Sequence, residues 1–393
     1  MDSEPNRVCS RLAELGFNAV SLAVRYIEER QGTPGPNLIF QNPRRRAYVS
    51  EGDVVYWNFD PTRYEALPSP LRPRKSKDIP GDPLQTFIRA CEKNDLRKVV
   101  WLPVLRAEKV VQNFPEYGVQ DIYDSPVGHR RAFLCPSHPE VQETFCLMVE
   151  ELTEKYEFDE LELDFIRYPE ILSCDSPLLS LALSPCFCKH CWKKAEQQGI
   201  DLGEVAKELK TVVEWHVKWL GSSGHCEDRD YIEALYEELT RRILESKTIQ
   251  HWLSFRARLV TDFVTQLVEI AHQRKEVRVT ADLYPPSGSW RVGQDFTALS
   301  QNLEGVKLML YIRPFGRSIC RIPFETHLAR TLVGDRMLVL GLASWPPTSP
   351  EDLHTQLLLA ERTPVDGVSF YCFGWTPEEN LAVINRFWKG EEK

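Results

Sequence analysis

The sequence predicts an α/β fold, a (β/α)8 TIM-type barrel whose first strand is missing or replaced, with a cysteine-containing helical excursion after the fourth-strand position. Three observations carry that expectation. Apolar runs rich in β-branched residues alternate with amphipathic helical patterns, as βαβ units around a parallel sheet do. No G-x-G-x-x-G or P-loop follows any run, so the phosphate-binding signals of doubly wound sheets are missing. Polar and aromatic residues gather instead at the C-terminal ends of nearly all the runs, and a barrel places those ends around one mouth.

In chain order, strands are expected near 18–25, 98–105, 159–166, 277–284, 306–312, 337–343 and 367–373. Helical spacing of apolar residues marks 83–94, 139–155, 252–272, 351–361 and 377–388 between them. The chain opens on a helix-like RVCSRLAELG where a complete barrel would open on a strand. Either the first strand is absent, or 53–59 fills the gap, or the barrel is open. In each case the outer side of the strand at 18–25 needs cover, because unpaired edges invite association. Residues 32–82 read as a long βα-loop excursion and 171–250 as a cysteine-cluster and helical lid or side subdomain, all within one barrel domain spanning 1–393.

Composition narrows the function classes. The net charge of −9 disfavours a phosphate-backbone partner, and Arg44, Arg45 and Arg46, like Arg72, Arg74, Lys75 and Lys77, read as solvated loop clusters, so no nucleic-acid partner is expected. No apolar run reaches the roughly 18 residues of a membrane span, so no membrane partner is expected. The acidic start MDSEPNRVCS is not a signal peptide, and a cytoplasmic location follows if Met1 is the true start. Eleven scattered cysteines argue for reduced thiols with a metal site rather than a disulfide framework. Ten Trp and thirteen Tyr supply flat faces of the kind that pack on sugar rings, and a carbohydrate is the expected substrate.

The strand DELELDFI places Glu160, Glu162 and Asp164 on one face and Leu161, Leu163 and Phe165 on the other. The leucine face packs on helices, so the acids point into the barrel, where burial raises a carboxyl pKa. Asp164 lies at the mouth and is the expected catalytic acid. Glu162 is a second catalytic candidate, with pairing to an inward Arg278 or Lys307 as its bland alternative. Asp282, which also ends a strand, is the expected base or transition-state stabiliser. Around them, Arg25, Arg106 and Arg313 are expected to bind polar or anionic sugar groups. Tyr26, Tyr311, Trp345 and Trp375 are expected stacking platforms, and Tyr284 lies at the same strand ends.

The run AFLCPSHPEVQETFCLMVEELTEKYEFDELELDFIRYP resembles glycosyl-hydrolase-like family 10 and its relatives, in which a Pro-x-x-Pro-Glu-Val helix start leads into a strand ending D-x-I-R-Y-P. GDPLQTFIRACEKNDLRKVVWLPVLR and VKLMLYIRPFG are similar to the segments of its third and sixth strands, so the resemblance covers most of the chain. It implies a glycoside-hydrolase-like barrel lacking the strand before NAVSLAVR. It also implies that Asp164 is the catalytic or substrate-positioning acid, with Arg167 and Tyr168 shaping the floor beside it. The run MLVLGLASW departs from glycosidases that use two carboxylates, because it ends without an acid. Three outcomes stay open: inversion with Asp282 as base, substrate assistance, or loss of hydrolysis.

Cys186, Cys188 and Cys191 form C-x-C-x-x-C, a metal-like spacing that zinc completes with one more soft ligand. Cys174 is the expected fourth ligand, with Cys135 and His190 as alternatives. A similar cluster after the fourth strand is a structural zinc site in family 42 β-galactosidases. The reading is therefore a glycoside hydrolase acting on a polysaccharide or oligosaccharide, with no catalytic cofactor and a structural zinc. Its alternatives are a non-catalytic carbohydrate-binding barrel and a barrel lyase or isomerase acting on a sugar acid.

Overall fold

The computed structural model describes residues 4–26, 53–76, 81–127, 132–170, 177–223 and 229–391. All seven expected strands form: β1 (Ala19–Ala23), β4 (Arg97–Pro103), β5 (Glu160–Asp164), β6 (Arg278–Leu283), β7 (Gly305–Met309), β8 (Met337–Ala343) and β9 (Gly367–Tyr371). They pair in parallel in the order β1-β4-β5-β6-β7-β8-β9. Helices cover the outside because both faces of a parallel sheet must be buried. The sheet curls into a barrel with a strand missing. Trp101 on β4 reaches Tyr371 on β9 edge to face at 5.7 Å, and Phe17, just before β1, meets Phe370 at 5.9 Å.

The helix Pro5–Glu14 precedes β1, and the gap lies between β1 and β9, each of which pairs on one side only among the described residues. Residues 53–59 do not fill the gap. β3 (Val54–Val55) pairs antiparallel with β2 (Arg25–Tyr26), a separate small sheet continuing from the C-terminal end of β1. The reason is local: Tyr56 donates its N–H to Val24 O, so this segment lies on the mouth end of β1 and not along its length. The described part of that excursion is pinned to the helix Pro139–Lys155 by the buried Glu151, which accepts from Trp57 Nε1, Tyr64 Oη and the Asp60 N–H. Residues 32–52 and 77–80 of the expected 32–82 excursion lie outside the described residues.

The helices Pro83–Lys93, Pro139–Lys155, Lys247–Arg274, Pro350–Glu361 and Glu378–Trp388 match the amphipathic patterns, and two more, Phe296–Asn302 and Arg321–Val333, separate β6, β7 and β8. Starts are set by local chemistry: the Asp82 and Asp295 carboxylates and the Ser349 hydroxyl cap free N–H groups, and Pro occupies the first position after Asp82 and Ser349. In Lys247–Arg274 the residues Trp252, Phe255, Arg256, Leu259, Phe263 and Leu267 recur on one buried face. That face packs on Pro139–Lys155, with Phe145 against Phe263. No helix among the described residues is long and apolar enough to cross a membrane.

Candidate active site and cysteine cluster

β5 carries its three acids in layers up the barrel, and each meets different partners. Glu160 at the base accepts from Arg97 and Thr280. Glu162, one layer up, accepts from Ser21 Oγ at 3.0 Å and from Lys307 Nζ, so its alternative as an inward ion pair is realised with Lys307. Lys307 also lies 3.7 Å from Asp282. Asp164 occupies the top layer, and the β5–β6 register runs up to Leu163 beside Ala281, one step short of Asp164 and Asp282.

Burial pushes the Asp164 carboxyl up to about 6, against the pull of Arg167 and the Phe165 N–H. Asp282 is raised well above the usual carboxylate range, first by burial and then by the charge of Glu162. Burial would raise Glu162 too, but Lys307, together with hydrogen bonds from Asp282 and Ser21, holds it below its ordinary value. Lys307 is raised by Asp282 and Glu162, which overcome its own burial. Glu162 is thus paired with Lys307, while Asp282 is pushed well above the usual carboxylate range and Asp164 up to about 6.

After Asp164 the strand stops. Phe165 takes a left-handed backbone at φ +54°, costly for a residue with a Cβ and typical of functional sites. Its N–H turns back onto Asp164 Oδ1, and its ring lies 4.7 Å beneath the Arg167 guanidinium. Arg167 also stacks on Phe133 and on Tyr284 at 4.8 Å, and its Nε has no hydrogen-bond partner among the described residues. Tyr284 donates to Glu170, which no motif marks as a site residue. Across the site, Tyr311, Trp345, Tyr371 and Trp375 form a wall with ring centroids 5.1–6.3 Å apart. The Tyr311 hydroxyl is raised by burial and by the charges of Asp282, Asp164 and Glu162. Tyr371 and Trp101 were missed. Their inward phase is legible in the strand alternation, but a central apolar run hides it.

Other expected site residues sit elsewhere. Arg25 is 4% exposed, and its guanidinium donates to Pro103 O, Val104 O, Arg106 O and Asp53. Asp53 in turn accepts from the Lys109 and Val110 N–H groups, so Arg25 braces the excursion against the end of β4. Arg106 pairs with Glu108 and Arg313 with Asp352. Tyr168 is fully buried against the cysteine cluster rather than on the mouth floor. The Tyr26 side chain and Cys174 lie outside the described residues. If Arg25 is a brace, Arg25→Met strands a buried carboxylate and should cost about 3–5 kcal/mol in denaturant unfolding while leaving glycan affinity unchanged. Weaker glycan binding at unchanged stability would return Arg25 to the sugar site.

Below the excursion, Cys135 joins Cys186, Cys188 and Cys191, and all four buried sulfurs lie within 4.8 Å of one another. Cys135 Sγ is 3.5, 3.6 and 3.7 Å from the sulfurs of Cys188, Cys191 and Cys186. A tetrahedral zinc with Zn–S near 2.3 Å sets its sulfurs about 3.8 Å apart, so the donor set and its spacing fit zinc. With four protein sulfurs such a site is closed and has no position for catalysis. His190 is outside this group and stacks on His138 at 4.0 Å.

No family model matches the chain, and no curated protein does. Solved structures match its fold along nearly its whole length. It resembles the glycoside hydrolase domain of PgaB (BpsB) from Bordetella bronchiseptica at 17% identity and a TM-score of 0.57, covering 96% of this chain and 89% of that one. It resembles the catalytic domain of β-amylase from Paenibacillus polymyxa at 10% identity and 0.57, covering 99% and 94%. It also resembles β-galactosidase from the psychrophilic Marinomonas ef1 at 12% and 0.57, covering 99% of this chain and 57% of that one. At these identities the likeness establishes the barrel fold. It does not single out the narrower family-10 resemblance.

Proposed function

We propose that the chain is a glycoside hydrolase acting on an oligosaccharide or polysaccharide, with Asp164 and Asp282 as its acid–base pair. The observation that carries this reading is a pair of buried carboxyls on adjacent strands, Asp164 raised to about 6 and Asp282 raised well above the usual carboxylate range, across from an aromatic wall. Carboxyls whose surroundings separate their pKa values divide acid and base roles between them. Asp282 keeps its proton and donates it to the glycosidic oxygen as the C–O bond breaks. Asp164, ionised above about 6, takes the proton of the attacking water as its oxygen bonds the anomeric carbon. The roles expected from strand position alone are thus exchanged. Tyr311, Trp345, Tyr371 and Trp375 offer faces to the sugar ring, and Arg167 offers its unpartnered Nε to a hydroxyl. The cysteine group holds a structural zinc that orders the helices after β5.

One observation favours a second reading, a carbohydrate-binding barrel without turnover: β8 ends at Ala343, with no carboxylate. The sugar-acid lyase reading loses its support, because Arg25, Arg106 and Arg313 are each engaged by a carboxylate. A panel of glycans and aryl glycosides, assayed for release and for binding across pH, separates these readings. Turnover that rises through pH 6 supports Asp164 as the base. Turnover that falls through the same range restores Asp164 as the acid, and binding without release supports the second reading.

A further inference from the structure

The buried Arg256 lacks the partner that a buried arginine needs. It is 1% exposed and lies between the Tyr168 ring at 4.7 Å and the Trp252 ring at 4.8 Å. One contact, Nη2 to Arg291 O at 3.2 Å, is made, while Nε and Nη1 have no hydrogen-bond partner among the described residues. No carboxylate pairs with it among the described residues. Trp252, on its other face, packs at 5.7 Å on Phe187, the residue between Cys186 and Cys188, and the charges of Tyr168, Cys186 and Cys191 act on the guanidinium. Tyr168 is in the same position: its hydroxyl is buried without a partner among the described residues, and Cys191, Cys135 and Cys186 are the charges that act on it most.

Charge balance explains both orphans at once. Four neutral thiols leave the guanidinium alone in an apolar interior, which is strongly unfavourable. Four thiolates around a divalent ion carry a net charge of −2, itself unfavourable to bury without donors and a counter-charge. We propose that Arg256 is the internal counter-cation of a tetrathiolate metal centre at Cys135, Cys186, Cys188 and Cys191, with the Tyr168 hydroxyl as a second donor toward its sulfurs. The inference rests on the zinc reading above and adds to it how the buried charge is compensated. It also explains why Tyr168 turns away from the mouth. Its N–H is tied to Val292 O, and its ring packs on Gly293, where a Cβ would come within 2.9 Å of it at a φ of +73°.

The test is a cobalt and zinc titration of the metal-stripped full chain, with chelator competition, for wild type, Arg256→Met and Arg256→Lys. Wild type should show the thiolate-to-cobalt charge-transfer band and the visible bands of tetrahedral cobalt; if it does not, the metal reading fails before Arg256 is in question. Given those bands, Arg256→Met should bind zinc about 10–100-fold more weakly, the range for lost outer-sphere partners. Arg256→Lys, which keeps the charge but loses the planar stacking, should recover most of the affinity. Wild-type affinity in Arg256→Met overturns the proposal. Should the methionine variant not fold, the lysine variant decides: near-wild-type zinc affinity supports the counter-cation, and a loss as large as 100-fold with the charge retained overturns it.

Discussion

Asp164→Asn is expected to lower kcat by about 10²–10⁴-fold on the true substrate, because asparagine keeps the shape of the side chain and loses its ability to take a proton. The same variant should be more stable than wild type at neutral pH. The folded value of about 6 lies above the ordinary carboxylate value. A carboxyl raised in this way favours the folded state below the unfolded pKa of about 4, and that contribution is lost as pH rises through about 6. At pH 7–8 the ionised Asp164 therefore opposes folding by roughly 1–3 kcal/mol, which asparagine relieves. Thermal unfolding of both proteins at pH 4 and pH 8 checks this: the gain should be present at pH 8 and shrink at pH 4. Full turnover in Asp164→Asn would remove this residue from the chemistry.

Cys188→Ser should release about one zinc per chain and lower the melting temperature by on the order of 10 °C, since structural metal binding is linked to folding. The substitution removes one of four buried sulfurs and leaves a hydroxyl among the other three. Turnover measured well below the transition should stay within a few-fold of wild type, because the cluster is closed. Metal analysis with calorimetry checks both parts. A metal-free chain with an unchanged melting temperature would count decisively against the site.

The strands were legible because β-branched apolar runs are a strong local signal, and the opening helix was legible in the spacing of RVCSRLAELG. The short helix Phe296–Asn302 and the weakly amphipathic Arg321–Val333 were not, since neither gives a clear period. Within the site, alternation placed Glu160, Glu162 and Asp164 correctly up to the point where it ceases to apply. The left-handed turn at Phe165 breaks the phase, and Tyr168 consequently belongs to the cysteine cluster. Arg25, Arg106 and Arg313 looked like ligand-binding cations by type and place. Glu108 stands only two residues from Arg106, but Asp53 and Asp352 lie 28 and 39 residues from Arg25 and Arg313, and no local pattern connects those pairs. The fourth sulfur, Cys135, is 51 residues from Cys186 in sequence, too far for spacing alone to choose it over Cys174.

The most direct test of glycoside cleavage by Asp164 and Asp282 is turnover of an oligosaccharide panel in 18O-labelled water, with products read by mass spectrometry. Wild type should place one 18O at each newly formed reducing end, and the Asp164→Asn, Asp282→Asn double variant should place none above background while still binding the glycan. Glycan binding by both proteins with no labelled product from either would contradict hydrolysis and leave a carbohydrate-binding barrel.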